Sequence, residues 1–286
     1  MIYLLLSILF STSLFVIFKY FEIFKVNTLQ AIVVNYIVAF LLGMFSANTF
    51  NQLGSIPTQP WVYGAMFLGL LFVTIFFVMA MTAQKNGVSV ASIAGKMSVV
   101  VPIIFGIILY NESVTALKVV GIIIALVAVY LSSVKEEKST QQAGLLFPVL
   151  LFLGSGVIDT TLKYVETNYV TNNDVDFFSG SLFGFAAVFG LLILIFKQFV
   201  SKGKFEFKSI VAGIALGIPN YYSIVFLIKA LQNKNFESST LFTVNNVGIV
   251  IVSTLVGLLL FSEKFSTKNK IGVALAVLGI ILVTIA

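Results

Sequence analysis

Cysteine and histidine are both absent from the 286 residues. Without a thiol the chain has no disulfide framework, no thiolate nucleophile and no sulfur ligand for zinc or an iron–sulfur cluster. Without an imidazole it has no Ser–His nucleophile, no His-ligated metal and no His proton relay. Arginine is missing too, since all 17 basic residues are lysine, and no guanidinium fork is available for bidentate recognition of phosphate. Charge of either sign is scarce, at 10% of residues, where a soluble domain carries about 25%. So little charge cannot cover a surface that faces water.

What fills the chain instead is apolar. Hydrophobic residues make up 59% of it, 29 of them Phe, and the mean hydropathy is +1.08. The chain therefore belongs in a lipid bilayer, as a multi-pass protein of the inner (plasma) membrane. A net charge of +6 would hint at nucleic acid in a soluble protein. Here the lysines punctuate apolar runs, so they bear on membrane orientation and no nucleic-acid partner is expected.

A transmembrane helix takes about 20 residues. Apolar runs of that length recur ten times, over 2–21, 28–47, 61–84, 88–110, 114–133, 143–165, 175–199, 208–231, 238–262 and 268–285. The first run has neither a basic n-region nor a small-residue cleavage site and is expected to be a retained helix. Trp61, the sole Trp, opens the third span at a position common for interfacial anchors. The clearest hydrophilic break, 135–142, falls almost at mid-chain.

That break separates two copies of one pattern. Offset by 151 residues, 86–131 lie on 237–282 without a gap, so that Gly106 meets Gly257, Glu112 meets Glu263 and Gly121 meets Gly272. Offset by 144, Lys19-Tyr-Phe-Glu22 meets Lys163-Tyr-Val-Glu166. The expected organisation is all-α, with ten transmembrane helices as two five-helix repeats, 1–134 and 143–286, joined by 135–142. Five is odd, so the second copy enters the membrane from the opposite side. Such an inverted repeat is the architecture of alternating access, with a site near the midplane between the halves.

Five plus five inverted spans in under 300 residues resemble the drug/metabolite transporter superfamily, and its EamA-like family in particular. The residues that carry the resemblance are Pro102 in span four, Glu112 just after it and Gly121 early in span five, echoed by Glu263 and Gly272. Ser253 stands where Pro102 aligns, so span nine is expected to lack the kink of span four. The resemblance implies transport, with spans 1, 3, 4, 6, 8 and 9 around a central cavity. The superfamily moves amino acids, nucleotide sugars, purines, phosphorylated sugars and drugs, so no single cargo follows.

Ionisable side chains at bilayer depth are costly and mark functional sites by default. Lys19, Lys163 and Lys229 sit at span ends where the stem can snorkel. Glu112 and Glu263 sit at corresponding span ends, where a structural role at the turn is the plainer account. Lys96 lies about 12 Å into span four, on one face with Ser89 and Ser92. Span nine has a polar stripe of its own in Ser239, Thr243 and Asn246, next to Asn245. One reading makes these the walls of a cargo cavity; the other makes Lys96 a packing residue bonded to carbonyls. Asp159, in span six, is a proton-carrying carboxylate, a partner for Lys96, or half of a local pair with Lys163. Span eight contains Pro219-Asn-Tyr-Tyr-Ser223, in which Asn220, Tyr221 and Tyr222 either contact cargo or pack a kink. Ser7, Ser11 and Thr12 in span one are weaker candidates, because small hydroxyl residues in membrane helices are mostly packing.

The expected function is a secondary carrier for a small polar or anionic metabolite or drug, with Asp159 either coupling a proton or holding an ion pair. There is no metal constellation, no glycine-rich phosphate loop, no ATP and no cofactor in this reading. The alternatives are an intramembrane enzyme and a channel. The enzyme lacks the His of a Ser–His protease and a second facing carboxylate for Asp159. Counting lysines, odd-numbered connections carry twelve and even-numbered ones four, which puts the odd connections in the cytoplasm and both termini outside. The family resemblance implies the reverse.

Overall fold

A computed structural model describes residues 2–110, 115–133, 144–170, 174–201, 205–231, 238–264 and 266–285. Every regular element among them is helical: α1 (Ile2–Ile23), α2 (Thr28–Ala47), a 3-10 segment (Phe50–Thr58), α3 (Val62–Lys85), α4 (Val88–Met97), α5 (Val100–Tyr110), α6 (Ala116–Ser133), α7 (Leu146–Tyr169), α8 (Val175–Ser201), α9 (Phe207–Leu231), α10 (Ser238–Phe261) and α11 (Thr267–Ile285). Among the described residues eight stretches are long and apolar enough to cross a membrane. They match the first four and the sixth to ninth of the expected spans. The fifth expected span is α6, whose apolar part is the shorter Val119–Ser132, and the tenth is α11.

Ends are set by local chemistry. The side chain of Asn27 accepts from Gln30 N at 3.3 Å to open α2, and Asn48, left-handed at φ 52°, closes it with its N–H on the carbonyls of Met44 and Phe45. Ser266 and Asn269 cap α11 reciprocally, Ser266 N on Asn269 Oδ1 at 3.1 Å and Asn269 N on Ser266 Oγ at 3.2 Å. Large apolar side chains stand outward, among them Leu9, Leu150, Phe196 and Leu259, as lipid contact allows and water does not.

The chain forms two compact units. The first comprises Met1–Tyr20, Val78–Val157 and Tyr222–Ala286. In it α4 packs on α10, α6 and α11, and α6 packs on α11. The α6–α11 seam is made of small residues, as membrane helix interfaces are where backbones approach closely. A Cβ on Gly272 would meet Ser132 N at 2.6 Å and one on Gly279 would meet Ala125 N at 3.3 Å, so the pair runs antiparallel. Asn269 Nδ2 donates to the carbonyls of Leu131 and Ser132 at 3.1 and 2.9 Å, tying the two ends together. Gly121 is buried within α6.

The second unit comprises Phe21–Phe77 and Ile158–Tyr221. Here α2 packs on α8, again antiparallel, with Gly43 beside Gly180, Phe40 beside Gly184 and Val33 beside Gly190. Trp61 is 1% exposed, with its ring 5.6 Å from that of Phe177 and 5.4 Å from that of Phe178. It is therefore a core residue and not the interfacial anchor its position at a span end suggests, because the large ring gains more by packing with Met44, Leu68 and Val165.

Candidate functional site

The first unit assembles the polar residues of α1, α4 and α10. Two residues, Asn86 and Gly87, connect α3 to α4, and Gly87 takes φ 114°, a backbone open to glycine and strained for other residues. Across from it, the chain leaves α10 through Ser262 at φ 49°, and the N–H of Glu263 returns to the carbonyl of Gly257 at 3.0 Å. That turn aims the Glu263 carboxylate at the start of α4. Val88 N donates to it at 2.6 Å and Ser89 Oγ at 2.9 Å. A Cβ on Gly87 or on Gly257 would collide with the carboxylate, so the two glycines make its seat. A carboxylate there satisfies orphan N–H groups and meets the positive end of the helix. Glu263 thus joins the turn after α10 to the start of α4; Glu112 lies outside the described residues.

Span four is not one helix. It breaks at Ser98 and Val99 between α4 and α5. The cause is Pro102, which has no N–H to give the carbonyl of Ser98 and whose ring crowds that carbonyl. The Ser98 carbonyl instead accepts from Val101 N at 2.9 Å, and Ser98 Oγ donates to the Gly95 carbonyl at 2.6 Å. The discontinuity therefore lies one turn before the proline. It places Lys96, half-buried, in the last turn of α4, where helix carbonyls favour a cation. In contrast α10, with Ser253 in place of the proline, continues unbroken.

Two contacts set how α4 lies against α10. Ser89 Oγ stands by Gly257, and Ser253 Oγ donates to Ser92 Oγ. The helices are antiparallel, and Lys96, one turn beyond Ser92, comes level with Ile249. Asn246 shares the face of Ser253 at seven residues' spacing, so Lys96 and Asn246 fall on facing stripes less than a turn apart in height. Ser92 is fully buried; its hydroxyl donates to the Ser89 carbonyl at 2.9 Å and accepts from Ser253. Asn245 is 2% exposed and its Oδ1 has no partner among the described residues. The side chains of Ser239 and Thr243 lie outside the described residues.

Helix α1 runs parallel to α10, with Ile8 against Gly248 and the rings of Tyr20 and Phe261 at 5.3 Å. Its other flank meets α9: Ser7 Oγ donates to the Ser223 carbonyl at 3.1 Å, and Phe10 lies 6.1 Å from Tyr222 and 5.5 Å from Phe226. Tyr222 thus belongs to an aromatic cluster. Lys19 reaches the carbonyl of Gln84 at 2.8 Å, closing the end of α3, and Lys229 lies over the Tyr3 ring at 5.7 Å.

The other candidates belong to the second unit. Asn220 Nδ2 donates to Asn35 Oδ1 at 3.2 Å, a buried pair between α9 and α2. Gly213 and Gly217 let α9 approach the backbone of α2, a turn before Pro219. The ring of Tyr221 lies by Gly43. Asp159 is exposed on α7, with Lys163 exposed one turn on. A carboxyl exposed within an apolar span calls for water rather than lipid beside it. No cluster of three metal-ligating residues occurs among the described residues.

Sequence comparison agrees with this membrane architecture. Residues 1–134 match the EamA-like transporter family, of the drug/metabolite transporter superfamily. An uncharacterized protein of Haemophilus influenzae is 25% identical over 279 residues, covering 94% of this chain and 93% of that protein. Two proteins named "Probable glucose uptake protein GlcU" are each 25% identical, that of Bacillus cereus over 65% of this chain and that of Bacillus anthracis over 62%. The matches span 64% and 61% of those two relatives, less than two thirds of their length. A protein of known crystal structure shares the fold, with a TM-score of 0.57 at 17% identity over 98% of this chain and 97% of its own.

Proposed function

We propose that this chain, whose first 134 residues match the EamA-like transporter family, is a secondary carrier that moves a small polar or anionic metabolite by alternating access. A multi-pass membrane transporter is the common ground of the family match and the eight apolar spans. The finer reading rests on one observation: Lys96 stands at the break of span four, on the serine face of α4 that opposes the Asn246 face of α10. A lysine costs about 3 kcal/mol at the centre of a membrane helix. The carbonyls ending α4 favour the cation, and an anionic cargo would add to that stabilisation when the cavity closes and water leaves. Support for inversion comes from three helix pairs that correspond between the repeats, α2 with α8, α4 with α10 and α6 with α11. Each packs antiparallel within its unit. Tyr221 and Tyr222 are secondary candidates for cargo contact, and Asp159 for the proton.

Counterflow in proteoliposomes tests the reading. Wild type exchanges labelled cargo against an internal pool, whereas a channel gives uncoupled flux and an enzyme gives product. Lys96→Met keeps the length and removes the charge. It is expected to fold and to lose cargo binding. Transport at the wild-type rate with unchanged affinity would return Lys96 to a packing role.

A further inference from the structure

Of the buried polar atoms of the first unit that have no hydrogen-bond partner among the described residues, two lie to either side of Lys96 in height. Asn245 Oδ1, on α10, is in a residue 2% exposed; Thr12 Oγ1, on α1, is in one 4% exposed. Native proteins leave few buried polar groups unpaired, because desolvation without a partner is costly. Their heights follow from contacts already described. Ile8 lies against Gly248 and the two helices are parallel, so Thr12, one turn on, is level with Val252. Ser92 bonds to Ser253, so Lys96 is level with Ile249. Asn245 is one turn further along α10. Thr12, Lys96 and Asn245 therefore succeed one another over about 10 Å of that helix. Around α10, Asn245 sits about 60° from Gly248, which faces α1, and about 80° from Ser253, which faces α4. It points into the wedge between those two helices.

The three groups ask for different things. Lys96 carries donors only, an amide oxygen accepts only, and a hydroxyl does either. We propose that the cargo is a hydroxylated anion of the sugar-acid kind, its anionic group on Lys96 and its hydroxyls on Asn245 Oδ1 and Thr12 Oγ1. This rests on the carrier reading of Lys96 and adds that Asn245 and Thr12 select for donors. A site built to pair a hydroxyl discriminates strongly against an analogue that lacks it, because the buried acceptor is then left unpaired.

The test is calorimetry on the purified full-length protein with three six-carbon probes: gluconate, hexanoate and glucose. Wild type should bind gluconate at least tenfold tighter than the other two. Asn245→Leu and Thr12→Val should each lower gluconate affinity toward that of hexanoate and leave hexanoate unchanged. Asn245→Asp preserves volume if the leucine variant fails to fold; its charge should abolish gluconate binding and spare glucose. Lys96→Met should lose gluconate and hexanoate together. If Lys96→Met loses binding while the Asn245 and Thr12 variants bind gluconate as wild type does, donor selection fails and the carrier reading stands. If Lys96→Met also binds as wild type does, both fail. Equal affinity of wild type for gluconate and hexanoate, or no binding of gluconate, overturns the hydroxylated class.

Discussion

Glu263 and Ser89, 174 residues apart in the chain, meet in a hydrogen bond of 2.9 Å. With Val88 N on the other carboxylate oxygen at 2.6 Å, that side chain closes the start of α4 from outside the helix. Glu263→Gln keeps the shape and removes the charge. Charge-assisted hydrogen bonds contribute about 1.5–3 kcal/mol where neutral ones give about 1, so the variant should lose about 1–2 kcal/mol. A thermal melt in detergent should show a lower Tm, with transport per folded molecule maintained. An unchanged Tm would mean the contact contributes nothing.

Pro102→Ala restores an N–H that can reach the Ser98 carbonyl. Span four should then run through as one helix and hold Lys96 away from a helix end. The expected result is slower turnover with cargo affinity within about threefold of wild type, since interior proline costs a helix about 3 kcal/mol that this change returns to rigidity. Counterflow and binding measured on the same preparation separate the two quantities. Undiminished turnover would show that the break is passive.

Ser92→Ala removes the partner of Ser253 but not its second acceptor, the Val250 carbonyl at 3.0 Å. Hydrogen bonds between membrane helices average about 0.6 kcal/mol, and a loss of that order in stability is expected. Because the Ser92 hydroxyl is already bonded on both sides, KM should change less than twofold. A large rise in KM would make Ser92 a cargo ligand.

Asp159→Asn addresses coupling. If the exposed carboxyl on α7 carries the proton, the variant should abolish proton-driven accumulation and spare exchange of cargo. Proton uptake equal to wild type would remove Asp159 from that role, and a loss of stability without a change in coupling would make it a structural neighbour of Lys163.

Much of this was legible from periodicity. Ser89, Ser92 and Lys96 share a face in the sequence because three, four and seven residues are helical neighbours, and the same spacing lines up Asn246 with Ser253. What spacing could not give is a partner on a helix distant in the chain. Nothing near Glu263 in the chain points to Val88, 175 residues away. Pro102 signals a distortion, but its effect falls on the acceptor four residues earlier, so the break lies at Ser98 and Val99 and not at the proline. A span end such as that of Trp61 looks interfacial in one dimension; whether the ring there meets lipid or Phe177 depends on the neighbouring helices. Thr12 ranks only as a weaker candidate in the sequence for the opposite reason. Most hydroxyls in membrane helices bond their own backbone, as Thr74 and Thr82 do here, and only the folded chain distinguishes those that do not, Thr12 among them.

In the proposed carrier, the unbroken α10 and the divided α4–α5 would make the two proposed repeats mechanically unequal. A continuous helix bends as a rod, while a pair of short helices articulates at its joint, so the same displacement meets less resistance in one half than in the other. For a carrier this inequality is kinetic. Microscopic reversibility forbids it from favouring one direction at equilibrium, yet it permits the inward-to-outward and outward-to-inward reorientations to proceed at different speeds. Under exchange conditions the slower passage would then set the pace, and the protein would accumulate in whichever orientation precedes it.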